Sequence, residues 1–414
     1  MCIRDRYKKD RVKSMGEMKR KSYGTIFFPV SILILSTFFW DKPISFFIAI
    51  SVLTFADPAA SVIGSKSNNH FHPWIDKKSV EGSIAMFCTS FLLIAIGTDV
   101  MARLYNANFY LPFHILIGLA IFAALSSTIS EMLSCKGSDN LSVPLITFFT
   151  YEIFLINYTH NTLLHLLIWF ALSVFIFSIA KKYHSLSLSG ALGGFLIGIL
   201  IFGSGGWKLI FPLVFFFISS SLLSFSKHKS PSQRDVIQIL ANGGIPTFFA
   251  LGYFFFPHQN FLLGFLGSLS ASTADTWATE IGFLSKQRPY LIFTSKQVDK
   301  GISGSISLIG SIGSIIGATA MGVISLYIFD LNLFLAILIV FSGFFGSFID
   351  TLLGRYLQGK FFCASCNNTK EDNYGCCGKT ILKSGFRWVN NNTVNFLSSL
   401  SSGVAIILIN LVYG

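Results

Sequence analysis

Residues 51–64 read Ser51-Val-Leu-Thr-Phe-Ala-Asp57-Pro-Ala-Ala-Ser-Val-Ile-Gly64, an apolar stretch broken by one carboxylate. Residues 273–282 read Thr273-Ala-Asp275-Thr-Trp-Ala-Thr-Glu280-Ile-Gly282 and close another apolar stretch. In both, the Asp and the Gly are seven positions apart. A second pair of acids follows in register, Ser-Thr-Ile-Ser-Glu131-Met-Leu and Ser-Phe-Ile-Asp350-Thr-Leu-Leu. Glu131 lies 74 positions after Asp57, and Asp350 lies 75 after Asp275. A carboxylate at the centre of a bilayer costs at least about 3 kcal/mol and is rarely idle. Matched acids in both halves therefore suggest one chemical unit present twice.

The composition around these stretches makes them membrane helices. Apolar residues make up 52% of the chain and charged residues 12%, and Phe alone supplies 45 of 414 positions. A soluble domain carries roughly a quarter charged residues, and many runs here approach the roughly 20 apolar residues that span a bilayer. The expected fold is all-α, a polytopic membrane protein of about thirteen transmembrane helices between residues 24 and 412, in two parallel homologous units. The longest hydrophilic stretch, 355–393, is too short for a separate domain.

The net charge of +12 invites a nucleic-acid reading, but its placement argues against one. Lys66, Lys77, Lys78, Lys136, Lys181, Lys182, Lys286, Lys300 and Arg355 fall in alternate loops, as the positive-inside rule requires for cytoplasmic segments. That orientation puts Asp57, Glu131, Asp275 and Asp350 toward one face. An even number of spans separates the paired motifs, so the two units point the same way. The expected setting is a bacterial plasma membrane with the sites facing the cytoplasm, a photosynthetic membrane being the alternative.

After each Asp-x6-Gly comes a basic loop that enters the next span through Gly and Ser. The first is Lys77-Lys78-Ser79-Val-Glu81-Gly82-Ser83, and the second is Lys300-Gly301-Ile-Ser303-Gly304-Ser305. Backbone N–H groups at a helix start, with a Lys beside them, suit a phosphate; a basic cap on a membrane helix explains either loop alone. This spacing pairs Lys78 with Lys300 and Glu81 with Ser303. Each following span opens on oxygen-bearing side chains, Asp139-Asn140 in the first half and Asn391-Asn392-Thr-Val-Asn395 in the second. Those groups can ligate a hard cation or serve as plain helix caps. Taken together, the residues indicate a membrane enzyme or an ion-coupled carrier with cytoplasmic carboxylate sites.

Ala56-Asp57-Pro58-Ala59-Ala60 through Gly64, Lys78-Ser79-Val-Glu81-Gly82-Ser83 and Asp139-Asn140-Leu-Ser-Val-Pro144 resemble the dolichol kinase and phytol kinase family. The resemblance covers roughly 17–180 and implies phosphorylation of a polyisoprenoid alcohol by CTP. Residues 186–414 resemble a second family, a membrane domain of unknown function that includes phytyl-phosphate kinase. The matching residues are Arg234-Asp235-x2-Gln238-x2-Ala241-Asn242-Gly243-Gly244, Thr273 through Gly282, Gly301-x-Ser303-Gly304, Gly346-Ser347-x2-Asp350 and Trp388-Val-Asn-Asn391. This implies phosphorylation of an isoprenoid monophosphate.

On that resemblance the chain is expected to be a fusion: an artefactual or disordered basic start at 1–16, a first kinase unit at 17–180 lacking two spans at its N-terminal side, and a second at 181–414. The implied activity is a bifunctional isoprenoid kinase using CTP and Mg²⁺. A cytidylyltransferase-like lipid enzyme and an ion-coupled transporter are the alternatives. The implied catalytic groups are Asp57, Glu81, Glu131, Asp139, Asp275, Glu280 and Asp350. Mg²⁺ falls to Asp57, Asp139, Asp275 and Asp350. Nucleotide and phosphate binding fall to Gly64, Lys78, Ser79, Gly82, Asn140, Asn242, Gly243, Lys300, Ser303, Gly304, Asn391 and Asn395. Implied partners are the isoprenoid alcohol and its monophosphate, a nucleotide and the bilayer, with no nucleic acid. Glu81 is expected to assist deprotonation of the alcohol, its replacement by Ser303 suiting an acceptor that is already an anion.

Cys363-x2-Cys366 and Cys376-Cys377 place four thiols in one loop. Zn²⁺ bound by four thiolates and free reduced thiols are both open readings there, the adjacent second pair being a poor chelator.

Overall fold

The computed structural model describes residues 22–105, 111–227, 233–363, 368–371 and 380–413. The basic start at 1–16 and Cys366, Cys376 and Cys377 lie outside the described residues. Among the described residues, ten helices are long and apolar enough to cross a membrane, against the thirteen spans expected. The chain is a multi-pass integral membrane protein. It divides into two compact units, Met1–His160 and Asn161–Gly414.

The first unit is built from α1 (Gly24–Phe38), α2 (Pro43–Ser51), a π-helical turn at Val52–Ala56 and α3 (Asp57–Ser65). A two-stranded hairpin, β1 (His70–Phe71) and β2 (Lys78–Ser79), leads into α4 (Val80–Tyr105), followed by α5 (Phe113–Met132) and α6 (Asp139–Thr159). The span from Pro43 to Ser65 thus carries one widened turn, which ends where Asp57 and the ring of Pro58 begin the next helix. Single π turns of this kind are frequent at functional sites.

The second unit opens with α7 (Leu163–Lys182), which the sequence reading assigned to the first. Its packing explains the change. The Trp169 ring stacks on Phe202 at 5.2 Å and its indole N–H donates to the Gly198 carbonyl. Both partners lie on α8 (Leu188–Lys227), which leaves helical geometry at Gly205 and Gly206, where φ reaches +60°. That break divides α8 into two helices, where two spans were expected.

Next come α9 (Val236–Phe255) and α10 (Gln259–Gly282). After the short ladder of β3 (Tyr290–Leu291) with β4 (Ser305–Ile306) come α11 (Leu308–Ile328) and α12 (Leu333–Tyr356). A sheet of β5 (Lys360–Cys363), β6 (Asn368–Lys370) and β7 (Thr380–Ser384), with β5 central, precedes α13 (Asn391–Tyr413).

α10 is not among the ten apolar spans, and its surroundings show why. Every residue from Leu262 to Ala274 is buried, against α9, α11, α12 and α13. A helix enclosed by protein rather than lipid can be built from small and hydroxylated residues. Ser402 donates to the carbonyls of Gly267 and Ser342 at 2.8 and 2.7 Å, and Ser399 to that of Ser268. The outer helices present large apolar side chains outward, among them Leu33, Leu164, Phe175 and Tyr327, the surface a hydrocarbon environment favours.

The order of helix neighbours recurs between units. In the first unit α1 packs on α6, the α2–α3 segment on α4, α4 on α5, and α5 on α6; in the second, α9 packs on α13, α10 on α11, α11 on α12, and α12 on α13.

Candidate functional site

The repeated Asp-x6-Gly motif ends in a helix contact. A Cβ on Gly82 would lie 2.9 Å from the Ala60 carbonyl oxygen and 3.2 Å from Gly64 Cα; a Cβ on Gly310 would lie 3.0 Å from the Ala278 carbonyl oxygen and 3.6 Å from Gly282 Cα. Ser79 Oγ accepts from Gly82 N, and Ser307 Oγ accepts from Gly310 N, each at 3.1 Å. The two units therefore match at Ser79 with Ser307 and Gly82 with Gly310. This corrects the pairing of Lys78 with Lys300: Ile306 stands where Lys78 stands, and Ile309 where Glu81 stands. Gly64, Ser79 and Gly82 act first as the close-packed crossing of α3 and α4, not as an open phosphate cradle.

In the first unit the expected residues gather unevenly. Lys78 Nζ lies 2.5 Å from Glu131 Oε1 and donates to Ser134 Oγ at 3.3 Å. Asp57 is half-buried, and Asp139, Glu131 and Lys78 are its charged neighbours. Asn140 is turned inward on its own helix start, donating to Asp139 Oδ1 at 2.9 Å and to the Gly137 carbonyl. Glu81 is drawn to the loop after α3, where Ser67 donates to one carboxylate oxygen and Asn69 Nδ2 to the other, the latter at 2.8 Å. An apolar slot of about 330 Å³, lined by Phe71, Val80, Ser83, Ile84, Phe87 and Met132, opens beside α4 and the end of α5.

The second unit holds an open cavity of about 680 Å³. Asp275, Glu280, Asp350, Asn242, Lys300, Ser303, Gly304, Asn391 and Asn395 all line it, so nine residues expected from sequence meet in one place. Gly243 does not line it, being packed against Ile197. Asp275 and Asp350 face each other as electrostatic neighbours, with the Ser347 hydroxyl beside the first and Ser398 beside the second. With its amide turned to suit its neighbours, Asn395 donates to Asp350 Oδ2 and to the Asn391 carbonyl, both at 3.0 Å. Lys300 is exposed and donates to the carbonyls of Phe283 and Ser285 beyond the C-terminal end of α10. It therefore caps that helix, where a cation is favoured, rather than standing ready for a phosphate.

Sequence reading missed two charged residues of this cavity, Arg234 and Glu371. In the motif Arg234-Asp235-x2-Gln238, the Asp and Gln form a capping box at the start of α9, and this frees the Arg to point into the cavity. Arg234 Nη2 lies 3.4 Å from Ser224 Oγ, which donates to Glu280 Oε1 at 2.8 Å. Burial lowers the Arg234 pKa from its ordinary value and Glu280 opposes the shift; an arginine stays charged regardless. Glu371 is a lone acid beside β6, without a motif around it. Its Oε1 accepts from Ser303 N and its Oε2 from Ser303 Oγ, each at 2.7 Å. A carboxylate thus sits on Ser303 after all, which removes the argument that Ser303 leaves room for an anionic acceptor.

Among the described residues no group of three or more His, Cys, Asp or Glu side chains is arranged to hold a metal. Cys363 is buried in β5. For Mg²⁺ this is no obstacle, because that ion keeps several waters and commonly takes one or two carboxylates plus substrate phosphates. The Asp275–Asp350 pair with the Asn395 amide fits that donor set. The cavity lining holds four carboxylates (Asp275, Glu280, Asp350, Glu371) against two cationic side chains (Arg234, Lys300), a balance that favours a polyphosphate only when divalent cations accompany it.

The fold and this site define a multi-pass helical membrane protein with a polar, acid-lined cavity bordered by its helices and loops. The integral membrane protein family DUF92 matches residues 171–403, and the chain belongs to it. The chain is 31% identical to Protein PGR of Arabidopsis thaliana over 255 residues, covering 53% of this chain and 87% of PGR. It is 25% identical to Protein VTE6, chloroplastic, of the same plant over 257 residues, covering 57% of this chain and 69% of VTE6. It is 32% identical to a phytol kinase of Synechocystis over 135 residues, covering 32% of this chain and 54% of that kinase. No solved structure matches.

Proposed function

We propose that the chain is an isoprenoid kinase, in which the second unit transfers a phosphoryl group from a nucleoside triphosphate, CTP by preference, to an isoprenoid monophosphate. The observation that carries this reading is the convergence of Asp275, Asp350, Asn395, Arg234 and Ser303 on one cavity. Similarity to a phytol kinase supports it. Phosphoryl transfer asks a protein mainly for positioning and charge stabilisation, and these residues are suited to both.

Asp275 and Asp350 would hold Mg²⁺, which would supply positive charge to offset that of the nucleotide phosphates. Asn395 fixes the Asp350 carboxylate through its amide N–H. Arg234, which lines the cavity, would hold acceptor phosphate oxygens through its guanidinium. An acceptor phosphate is already an anion, so no base is required to activate it. In the first unit, Asp57, Asp139, Glu131 and Lys78 would serve the preceding step on a neutral alcohol, with the apolar slot beside α4 taking part of the chain. One of those carboxylates must then accept the hydroxyl proton.

Membranes containing the protein, incubated with labelled CTP and either phytol or phytyl monophosphate, test the reading. Labelled monophosphate from the first acceptor and labelled diphosphate from the second are expected. Release of pyrophosphate with a cytidylyl-lipid product would assign the cavity to nucleotidyl transfer instead. No labelled lipid from either acceptor would overturn the proposal.

A further inference from the structure

One corner of the second unit's cavity already holds an anion, supplied by the chain itself. Glu371 takes three donors, Ser303 N and Ser303 Oγ at 2.7 Å and Gln358 Nε2 at 2.9 Å. Ser303 is held in place by its flanks. Gly301 has φ +89° and Gly304 φ +82°, left-handed conformations that glycine adopts without strain. Gly304 also presses on the backbone of Arg355 at the end of α12, where a Cβ would meet Arg355 N at 2.8 Å. The Ser303 N–H is thereby aimed at a fixed point.

The corner offers more than one carboxylate uses. Gln358 is 1% exposed and donates its amide N–H to Glu371; its Oε1, an acceptor with nothing to offer a phosphate, is buried without a partner. Arg355 Nη1, from the residue under Gly304, is likewise buried without a partner. Lys360 donates to the Ser303 carbonyl at 3.3 Å. Burial lowers the Lys360 pKa and the nearby Glu371 charge opposes the shift. Backbone N–H, hydroxyl, amide and cationic groups gathered around a glycine-flanked turn are the elements of a phosphate cradle. A phosphate monoester brings more oxygens and nearly twice the charge of a carboxylate, so it can outbid Glu371 for the same donors. Glu371 meanwhile adds a fourth carboxylate to a cavity with three others, a placement that disfavours any anion entering beside it.

We propose that the Ser303–Gln358 corner is a phosphate-binding subsite and that Glu371 is a built-in competitor, occupying it until a phosphate or pyrophosphate group displaces the carboxylate. The proposal rests on reading the cavity as a place where phosphates bind, and not on any transfer taking place there.

The test titrates purified full-length protein in detergent with inorganic pyrophosphate, in the presence of Mg²⁺, by calorimetry. Glu371→Gln removes the charge and weakens the hold on Ser303, and binding about tenfold tighter than wild type is expected, since a charge-assisted hydrogen bond is roughly twice as strong as a neutral one. Adding Gln358→Leu to Glu371→Gln should cancel most of that gain. Glu371→Asp, one methylene too short to span both Ser303 donors, provides a second variant should the first fold poorly. Unchanged or weaker pyrophosphate binding in folded Glu371→Gln, or a gain that survives Gln358→Leu, would overturn the proposal. A lowered melting temperature with no gain in affinity would assign Glu371 to loop stapling alone. Tighter pyrophosphate binding without labelled lipid in the CTP assay would leave the subsite standing and remove the kinase reading.

Discussion

Lys78 and Glu131 form the closest ion pair between a loop strand and a membrane helix in the first unit, with Nζ and Oε1 2.5 Å apart and side chains 15% and 10% exposed. In the second unit the matching position of Lys78 is Ile306, and Asp350 instead takes an amide donor from Asn395. Removing one member of a shielded pair leaves an uncompensated charge and costs about 3–5 kcal/mol. Lys78→Met should therefore lower the melting temperature of the purified protein sharply, while Lys78→Met with Glu131→Leu should recover most of it. If the pair also serves chemistry, alcohol phosphorylation stays lost in the double variant. Full activity there would make the pair a purely structural one.

The glycine crossings set a second expectation. Gly82→Ala and Gly310→Ala each push a methyl to about 3 Å from a backbone carbonyl that helix geometry holds in place, at 2.9 Å from Ala60 O and 3.0 Å from Ala278 O. Overpacking of this kind costs about 1–3 kcal/mol. Both variants should lose stability by similar amounts in thermal unfolding, because the two contacts are alike. A neutral Gly310→Ala would show that α10 and α11 can separate freely, contrary to the match between units.

Much of this was legible in the sequence, for identifiable reasons. Acids at membrane depth are rare enough that Asp57, Asp275, Glu131 and Asp350 stood out, and nine residues flagged for the second half do line one cavity. The register between the halves was not legible from Lys and Gly spacing. The chain between Gly282 and Ser307 is longer than that between Gly64 and Ser79, and the extra residues carry Lys300 and Ser303 away from the positions they were matched to. Ser-x2-Gly-Ser at 79–83 and 307–311 was the better guide, since it encodes the N-cap and the crossing together. Glu371 had no local signature, because its role depends on a contact across 68 residues. Among the described residues, ten helices rather than thirteen pass as long apolar spans because α10 is enclosed by protein, α8 is two helices joined at Gly205 and Gly206, and α1 is short.

Metal binding gives a third prediction. Asp275→Asn and Asp350→Asn each remove a hard oxygen charge from the facing pair while keeping side-chain shape. Mn²⁺ affinity, read by electron paramagnetic resonance on the purified protein with nucleotide present, should fall at least tenfold in either variant. Turnover of the monophosphate acceptor should fall by about 10²–10³, the scale of losing one preorganised electrostatic group. Relief of carboxylate repulsion should leave both variants as stable as wild type or more so. Unaltered Mn²⁺ binding would place the cation elsewhere.

Arg234 supplies the last expectation, and it separates positioning from folding. Its contacts with Ser224 Oγ and the Ser220 carbonyl are long, at 3.4 and 3.5 Å, while the capping of α9 is carried by Asp235 and Gln238. The guanidinium is therefore held near the cavity without being consumed by the fold. Arg234→Lys keeps the charge and discards the planar fork that matches two phosphate oxygens. Were the Arg an acceptor clamp, KM for the isoprenoid monophosphate should rise about tenfold, a loss of about 1.4 kcal/mol, with little change in KM for the nucleotide. Were its partner Glu280 instead the reason for its presence, Glu280→Gln would lower the melting temperature as much as Arg234→Lys does, and neither would shift KM. A change in kcat alone, with both KM values intact, would move Arg234 from binding the acceptor to stabilising the charge that develops during transfer.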